Sequence, residues 1–256
     1  MWERTRSEGF ILPRVAGGVV PEGVSVTLVE PHYPVNLGHT ARLMSNFGIG
    51  KLYLVNPQVD ISAAAVYASH AAGVLDSAEV VSLKKVRQEN DLMVATTAVR
   101  ATKKSNVIRR TVRPEGVREL LEASASSSLV FGRDTTGLTN EEIQMCDVTT
   151  TIDTSPSYRA LNLGHAVAIM LYVVSRGHGR RGPVQSRTAR RVFANRLYEL
   201  AVASRLQPHK VRNLKETGKR IAATSNLSDR QLQMLSGVLR KAALRIDELQ
   251  ALDSKT

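Results

Sequence analysis

Four short blocks carry the side chains able to do chemistry: "PVNLGHTAR" (34–42), "TTAVR" (96–100), "FGRDTTGLTNEE" (131–142) and "IDTSPSYRALNLGHAV" (152–167). Asn36 and Arg42 lie between two apolar runs, in a segment that needs only an apolar stripe and caps to form a helix. Arg42 serves neither need, which makes it a candidate for chemistry. Familiar catalytic sites are missing. No Gly-x-Gly-x-x-Gly follows the first apolar run. "GRDTTGL" (132–138) has phosphate-loop glycine spacing, but Leu138 stands where a lysine is required. The six histidines, His39 and His165 among them, lack metal-ligand spacing.

The elements that must position these blocks follow from hydrophobic patterning. "VSVTLV" (24–29), "KLYLV" (51–55), "DLMVATTA" (91–98), "SLVFG" (128–132) and "VTTTI" (148–152) read as buried strands. Helical stretches alternate with them, which predicts a parallel α/β sheet. In such a sheet ligands sit beyond the carboxyl ends of the strands, where the four blocks fall. Asn36 is the expected cap of a helix striped by Leu37, Thr40/Ala41, Met44 and Phe47 and ended by Gly48. Thr139 and Glu142 have capping-box spacing. The stretch 159–175 reads as one helix, apolar almost all round, so it needs cover on both sides, from a second domain or a second copy of the chain.

Beyond it the composition shifts. "SRGHGRRGPVQSRTARR" (175–191) holds six arginines, three glycines, a proline and no acid, the mark of a linker that also grips phosphates. Three helices follow. The middle one is expected to bury Val211, Leu214 and Ile221 and to present Lys210, Arg212, Lys215, Lys219 and Arg220. The last has a Ser228–Gln231 capping pair and a seam through Leu232, Leu235, Leu239, Ala242, Ile246 and Leu249. Such basic helices, poor in aromatics, suit a phosphate backbone. The 256 residues allow one large domain or two, and a net charge of +12 points to a polyanionic partner. One cysteine, Cys146, excludes a disulfide framework. No apolar run spans a membrane and the start has no signal-peptide pattern, so a cytoplasmic protein is expected.

In combination and order the blocks resemble those of SPOUT-class RNA ribose 2′-O-methyltransferases, nearest to the TrmJ-like tRNA enzymes of the TrmH group, over roughly Val24 to Ser175. The resemblance implies an α/β SPOUT fold with a parallel sheet and carboxyl-terminal trefoil knot, followed by a small all-α domain. It implies S-adenosylmethionine as cofactor, a homodimer, a tRNA substrate, and methylation at nucleotide 32 of the anticodon loop. It implies no metal and no membrane. Carried over by position, Arg42, Asn36, Asn162 and Asp134 are catalytic, with Arg42 foremost. Thr96, Thr97, Ala98, Gly132, Ile152, Arg159, Ala160 and Leu161 hold the cofactor, mostly through backbone groups.

Arg100, Arg133, Arg180, Arg181, Lys215 and Lys219 are expected RNA contacts. Asp134 replaces the usual Glu, and Ala160 the usual Ser, so no side-chain hydroxyl role survives at 160. The expected organisation is an extension (1–23), a catalytic domain (24–175), an Arg-rich linker (176–191) and a helical RNA-binding domain (192–256). An rRNA methyltransferase of the same fold and a non-catalytic RNA-binding SPOUT protein are the alternatives.

Overall fold

The computed structural model describes residues 20–98, 111–176, 185–225 and 227–253. Five runs of β-branched and apolar residues form strands: β1 (Val24–Val29), β2 (Leu52–Val55), β4 (Leu92–Thr96), β6 (Ser127–Phe131) and β7 (Val148–Thr150). Two pairs not expected from the sequence, β3 (Glu79–Val80) and β5 (Thr111–Val112), complete a seven-stranded sheet in the order β3-β2-β1-β6-β4-β7-β5. Every pairing is parallel. β1 and β6 lie at the centre, buried along their whole lengths. Three of their four hydroxyls are paired between the strands: Thr27 Oγ1 lies 2.7 Å from Ser128 Oγ, and Ser25 Oγ donates to the Ser127 carbonyl at 3.0 Å, while Ser127 Oγ is buried without a partner.

Helices α1 (Pro34–Asn46), α2 (Ile61–Ala68), α3 (Ala72–Asp76), α4 (Leu83–Glu89), α5 (Pro114–Glu122), α6 (Asn140–Met145) and α7 (Leu163–Ser175) cover the sheet. Leu37, Ala41 and Met44 of α1 and Val167, Met170, Leu171 and Val174 of α7 join β1 and β6 in the larger core. Gly38 sets how closely α1 meets α2, because a Cβ there would stand 2.5 Å from the Ala64 carbonyl oxygen.

Two expected helix starts in the sheet region are corrected. Asn36 is not the cap of α1. Proline fits the first helical position, where its missing N–H costs nothing, so the helix opens at Pro34 after Tyr33, and Asn36 is buried in the first turn. The helix expected from 159 begins at Leu163, because the Asn162 side chain accepts the His165 N–H as its cap, leaving Arg159–Leu161 outside any helix. The cover expected around this helix is also incomplete within one chain: Ile169 is 36% and Tyr172 51% exposed.

The carboxyl-terminal region folds as α8 (Arg187–Ala203), α9 (Pro208–Thr224) and α10 (Asp229–Asp253). The first of these starts at Arg187 rather than at 192, since Ser186 accepts from Ala189 N–H and caps it. The end of the expected linker is therefore helical. The Thr139–Glu142 and Ser228–Gln231 capping pairs both form. Ile221, Leu235 and Leu249, expected inside, are exposed, whereas Val211 and Leu232 are buried. Three helices of this length supply one small cluster around Phe193, Ala222 and Leu232, too little to enclose every apolar residue of the seam.

At the β2 edge a charged cluster ties strand to helix. The Tyr53 hydroxyl donates to Glu89 at 2.5 Å and the Lys85 ammonium pairs with it at 2.9 Å. These contacts, the Tyr53 hydrogen bond first, hold the Glu89 carboxyl down at about 2 against an ordinary 4.5. A carboxyl depressed on folding stabilises the fold above its unfolded pKa, and that contribution vanishes as pH falls through the folded one. Thermal melts should accordingly lose stability more steeply between about pH 5 and pH 2 in the wild type than in Glu89→Gln. Parallel profiles would show that the cluster contributes nothing.

Candidate active site

The carboxyl ends of β4, β6 and β7 open into a cavity of about 410 Å³, a volume in the range of small-ligand sites. All eight residues expected to hold a cofactor line it: Thr96, Thr97 and Ala98 after β4, Gly132 after β6, Ile152 after β7, and Arg159, Ala160 and Leu161 before α7. The apolar part of the wall comes from Phe131, Leu138, Leu163 and Ala166. Thr96, Thr97, Thr135 and Thr136 with Arg159 add polar side chains to the backbone groups freed where the strands end.

Gly132 is required by a close approach. A Cβ at this position would lie 2.2 Å from the Gly137 carbonyl carbon and 2.3 Å from Leu138 nitrogen. The tight turn is held by reciprocal backbone bonds between Arg133 and Gly137, at 3.3 and 3.1 Å. Gly137 itself has φ +70°, the left-handed region that suits glycine.

Three of the four expected catalytic residues form one hydrogen-bonded relay. Asp134 lines the cavity. Its Oδ1 accepts from Asn36 Nδ2 and its Oδ2 from the His32 backbone N–H at 2.9 Å. Asn36 Oδ1 in turn accepts from Asn162 Nδ2 at 2.9 Å. The carboxylate is thus fixed by the β1–α1 loop, and both amides are oriented by it. Asp134 meets Asn36 directly, which gives the side chain of Asn36 a use in place of the helix-cap role expected of it.

Arg42 is not part of this relay. Six residues along a helix rotate a side chain by about 240°, so Asn36 and Arg42 leave different faces of α1. Asn36 turns inward; Arg42 is exposed and does not line the cavity of its own chain.

Arg133 has a structural employment absent from the sequence reading. Its Nε donates to Glu30 at 2.8 Å, Nη1 and Nη2 donate to the two oxygens of Glu142 at 3.0 Å each, and Nη1 also reaches the Gly137 carbonyl at 3.2 Å. This fork leaves few donors for RNA. The arginine, followed by Asn56, holds the Glu30 carboxyl below its ordinary range. Glu142 pushes the Arg133 guanidinium above its own, with Glu30 second. Glu30 and Asn56 both sit at φ 47°, uncommon for non-glycine residues, and are joined by a 3.2 Å hydrogen bond.

Of the other expected RNA contacts, Arg100, Arg180 and Arg181 lie outside the described residues. Lys215 stands 5.1 Å from the centre of the Tyr198 ring, and Lys219 pairs with Glu216 at 3.0 Å. Among the described residues no group of three or more His, Cys, Asp or Glu could hold a metal ion, and no helix is long and apolar enough to cross a membrane.

A parallel sheet with its cavity at the strand carboxyl ends, followed by an all-helical region, defines an α/β fold with a ligand-sized site. Residues 23–172 match the SpoU rRNA Methylase family, and the chain belongs to that family of methyltransferases. Among its relatives is the tRNA (cytidine-2′-O-)-methyltransferase TrmJ of Sulfolobus acidocaldarius, 33% identical over 165 residues, a stretch covering 64% of this chain and 69% of the relative. The tRNA (cytidine/uridine-2′-O-)-methyltransferase TrmJ of Pectobacterium atrosepticum is 38% identical over 160 residues, covering 61% and 66%. The similarity thus spans about two thirds of each relative's length. The fold also resembles the crystal structure of TrmJ from Z. mobilis, with a TM-score of 0.61 at 23% identity, covering 85% of this chain and 97% of that one.

Proposed function

We propose that the protein is an S-adenosylmethionine-dependent tRNA ribose 2′-O-methyltransferase, acting at nucleotide 32 of the anticodon loop. The observation that carries the reading is the cavity itself, whose rim supplies Asp134 to a relay through Asn36 and Asn162. Its fit to S-adenosylmethionine rests on its size, its apolar wall and the turn that Gly132 permits beside it. When bound there, S-adenosylmethionine supplies an electrophilic methyl group. Thr96, Thr97, Ala98, Gly132, Ile152, Arg159, Ala160 and Leu161 would hold it.

The ribose hydroxyl is a poor acid and must lose its proton as it takes the methyl group. Arg42 is ill suited to be a free base, because a guanidinium holds its proton far above neutral pH. It can instead bind the neighbouring phosphate and the hydroxyl oxygen together, stabilising negative charge as it develops. Since Arg42 stands outside its own cavity, this role needs a second copy of the chain. The exposed Ile169 and Tyr172 of α7 offer an apolar face for such a homodimer. Residues 24–175 would form the catalytic domain, along the knotted path the family resemblance implies. Residues 176–191 form the Arg-rich linker, helical from Arg187 onward. The region 192–256 would bind RNA, with Lys215 and Lys219 described and Arg100, Arg180 and Arg181 beyond the described residues. The compartment is the cytoplasm.

Mass-spectrometric mapping of ribose methyls on tRNA, before and after incubation with protein and S-adenosylmethionine, tests the reading. A new methyl at nucleotide 32 is expected. The matching family is described by rRNA, which favours rRNA as the second reading; methylation of rRNA with none on tRNA would establish it. Absence of S-adenosylmethionine binding by calorimetry would leave a non-catalytic RNA-binding protein.

A further inference from the structure

A second cavity, of about 240 Å³, lies where α8 and α9 meet the sheet domain. Its lining includes five cations, Arg87, Arg187, Arg190, Arg191 and Lys219, against a single carboxylate, Asp147. That carboxylate is already engaged: both terminal nitrogens of Arg87 donate to it, at 2.8 and 2.6 Å, as does the Met93 backbone N–H at 2.8 Å. Lys219 pairs with Glu216 at 3.0 Å. Of the arginines of α8, Arg187, Arg190 and Arg191 form no ion pair among the described residues, whereas Arg196, away from the cavity lining, pairs with Glu199.

The neighbouring carboxylates Asp147, Asp91 and Asp229 offset the charge of Arg187 and Arg190 only in part. Arg187 Nη1 donates to the Arg87 carbonyl, and Arg190 Nη2 to the Asp91 carbonyl. Asp91 and Asp229, the nearest further acids, spend one oxygen each on backbone N–H groups of Arg187 and Ser186. Arg190 is only 4% exposed, yet its Nε has no hydrogen-bond partner. Burial pushes its guanidinium below the ordinary range, and Arg187 is lowered by burial and then by the charge of Arg87. Burying like charges is costly unless something opposite joins them. Clamping α8 to the sheet domain would use two carbonyl contacts; it does not explain so many guanidinium groups around one hole.

We infer that this cavity, walled by Arg87, Arg187, Arg190, Arg191 and Lys219, is an oxyanion site for a phosphate group, supplied by the backbone of bound RNA. It is separate from the methyl-transfer cavity. Asp147 and Asp91 precede β7 and β4, so it borders the amino ends of the strands whose carboxyl ends form the first cavity. One RNA serving both cavities would have to reach both ends of the sheet. The RNA origin of the phosphate rests on the proposed function; the anion site does not.

The test uses the full chain carrying Arg187→Gln and Arg191→Gln together, sparing the buried Arg190. Inorganic phosphate should raise the melting temperature of the wild type above that in chloride of equal ionic strength, and the variant should lose this shift. Affinity for full-length tRNA should fall about fivefold or more, and the slope of log K against log salt should shrink by about one to two. Lost phosphate protection with unchanged tRNA affinity would keep the anion site but overturn its RNA source in favour of a free phosphoryl compound. No phosphate protection in the wild type, together with an unchanged salt slope in the variant, would overturn the proposal whether or not the protein methylates tRNA.

Discussion

Arg42→Ala is expected to lower methyl-transfer turnover by about 10²–10³-fold, while S-adenosylmethionine binds with unchanged affinity. The magnitude is that of losing one preorganised donor to a developing oxyanion, about 2.7–4 kcal/mol. The separation of the two effects follows from geometry: Arg42 is absent from the wall of the cavity in its own chain. Single-turnover kinetics and calorimetry on the same preparation check both halves. Retained turnover would make Arg42 a surface residue of α1. A loss of cofactor affinity equal to the loss of turnover would place it in the methyl-donor site instead.

The same geometry permits complementation. Ala160→Trp should fill the cavity from an exposed loop and abolish cofactor binding without disturbing the core. If a partner copy delivers Arg42, neither variant alone is active. Mixed dimers then pair the intact cavity of the Arg42→Ala chain with the intact arginine of the other, recovering about a quarter of wild-type activity by statistical assortment. Absence of recovery after proven subunit exchange would show that each chain uses its own arginine.

The central sheet was legible because strands buried on both faces are rich in β-branched and apolar residues, and β1, β2, β4, β6 and β7 are short runs of that kind, bounded by turn residues. The edge pairs β3 and β5 were not. Glu79 and Val80 are exposed, so no burial requirement writes itself into their sequence; they pair only because β2 has a free side. At the start of α1, Asn36 has the residue type of a cap, but Pro34 is the stronger local signal because it fits the first helical position. Asn36 was free for its relay because the helix had already begun.

The site divided in the same way. The cofactor positions lie at the ends of legible strands, so order along the chain sufficed to bring them to one cavity. Arg133 could not be read: its partners Glu30 and Glu142 approach from the end of β1 and the first turn of α6, and only folding makes them neighbours. The basic stretch 175–191 signalled phosphate affinity by composition. Composition cannot separate a solvated arginine such as Arg191 from one buried beneath a helix, as Arg190 is.

Gly132→Ala should cost about 2–4 kcal/mol of folding stability and remove measurable S-adenosylmethionine binding. The added methyl would meet backbone, at 2.2 Å from Gly137 and 2.3 Å from Leu138, where no rotamer change can relieve it. Relief requires the Arg133–Gly137 turn to open. That displaces Arg133 from Glu30 and Glu142, and carries the adjoining Asp134 away from Asn36. One methyl group would therefore loosen the cavity wall and the catalytic relay together.

Gly137→Ala is the matched control. Its φ of +70° imposes about 1–2 kcal/mol on any L side chain, but nothing lies within 4 Å of the new methyl. Denaturant midpoints and cofactor titrations on both variants distinguish strain from collision. Equal losses would mean that the turn tolerates the collision by shifting as a unit. A Gly132→Ala protein of lower stability that still binds S-adenosylmethionine would mean that the methyl donor does not depend on this wall.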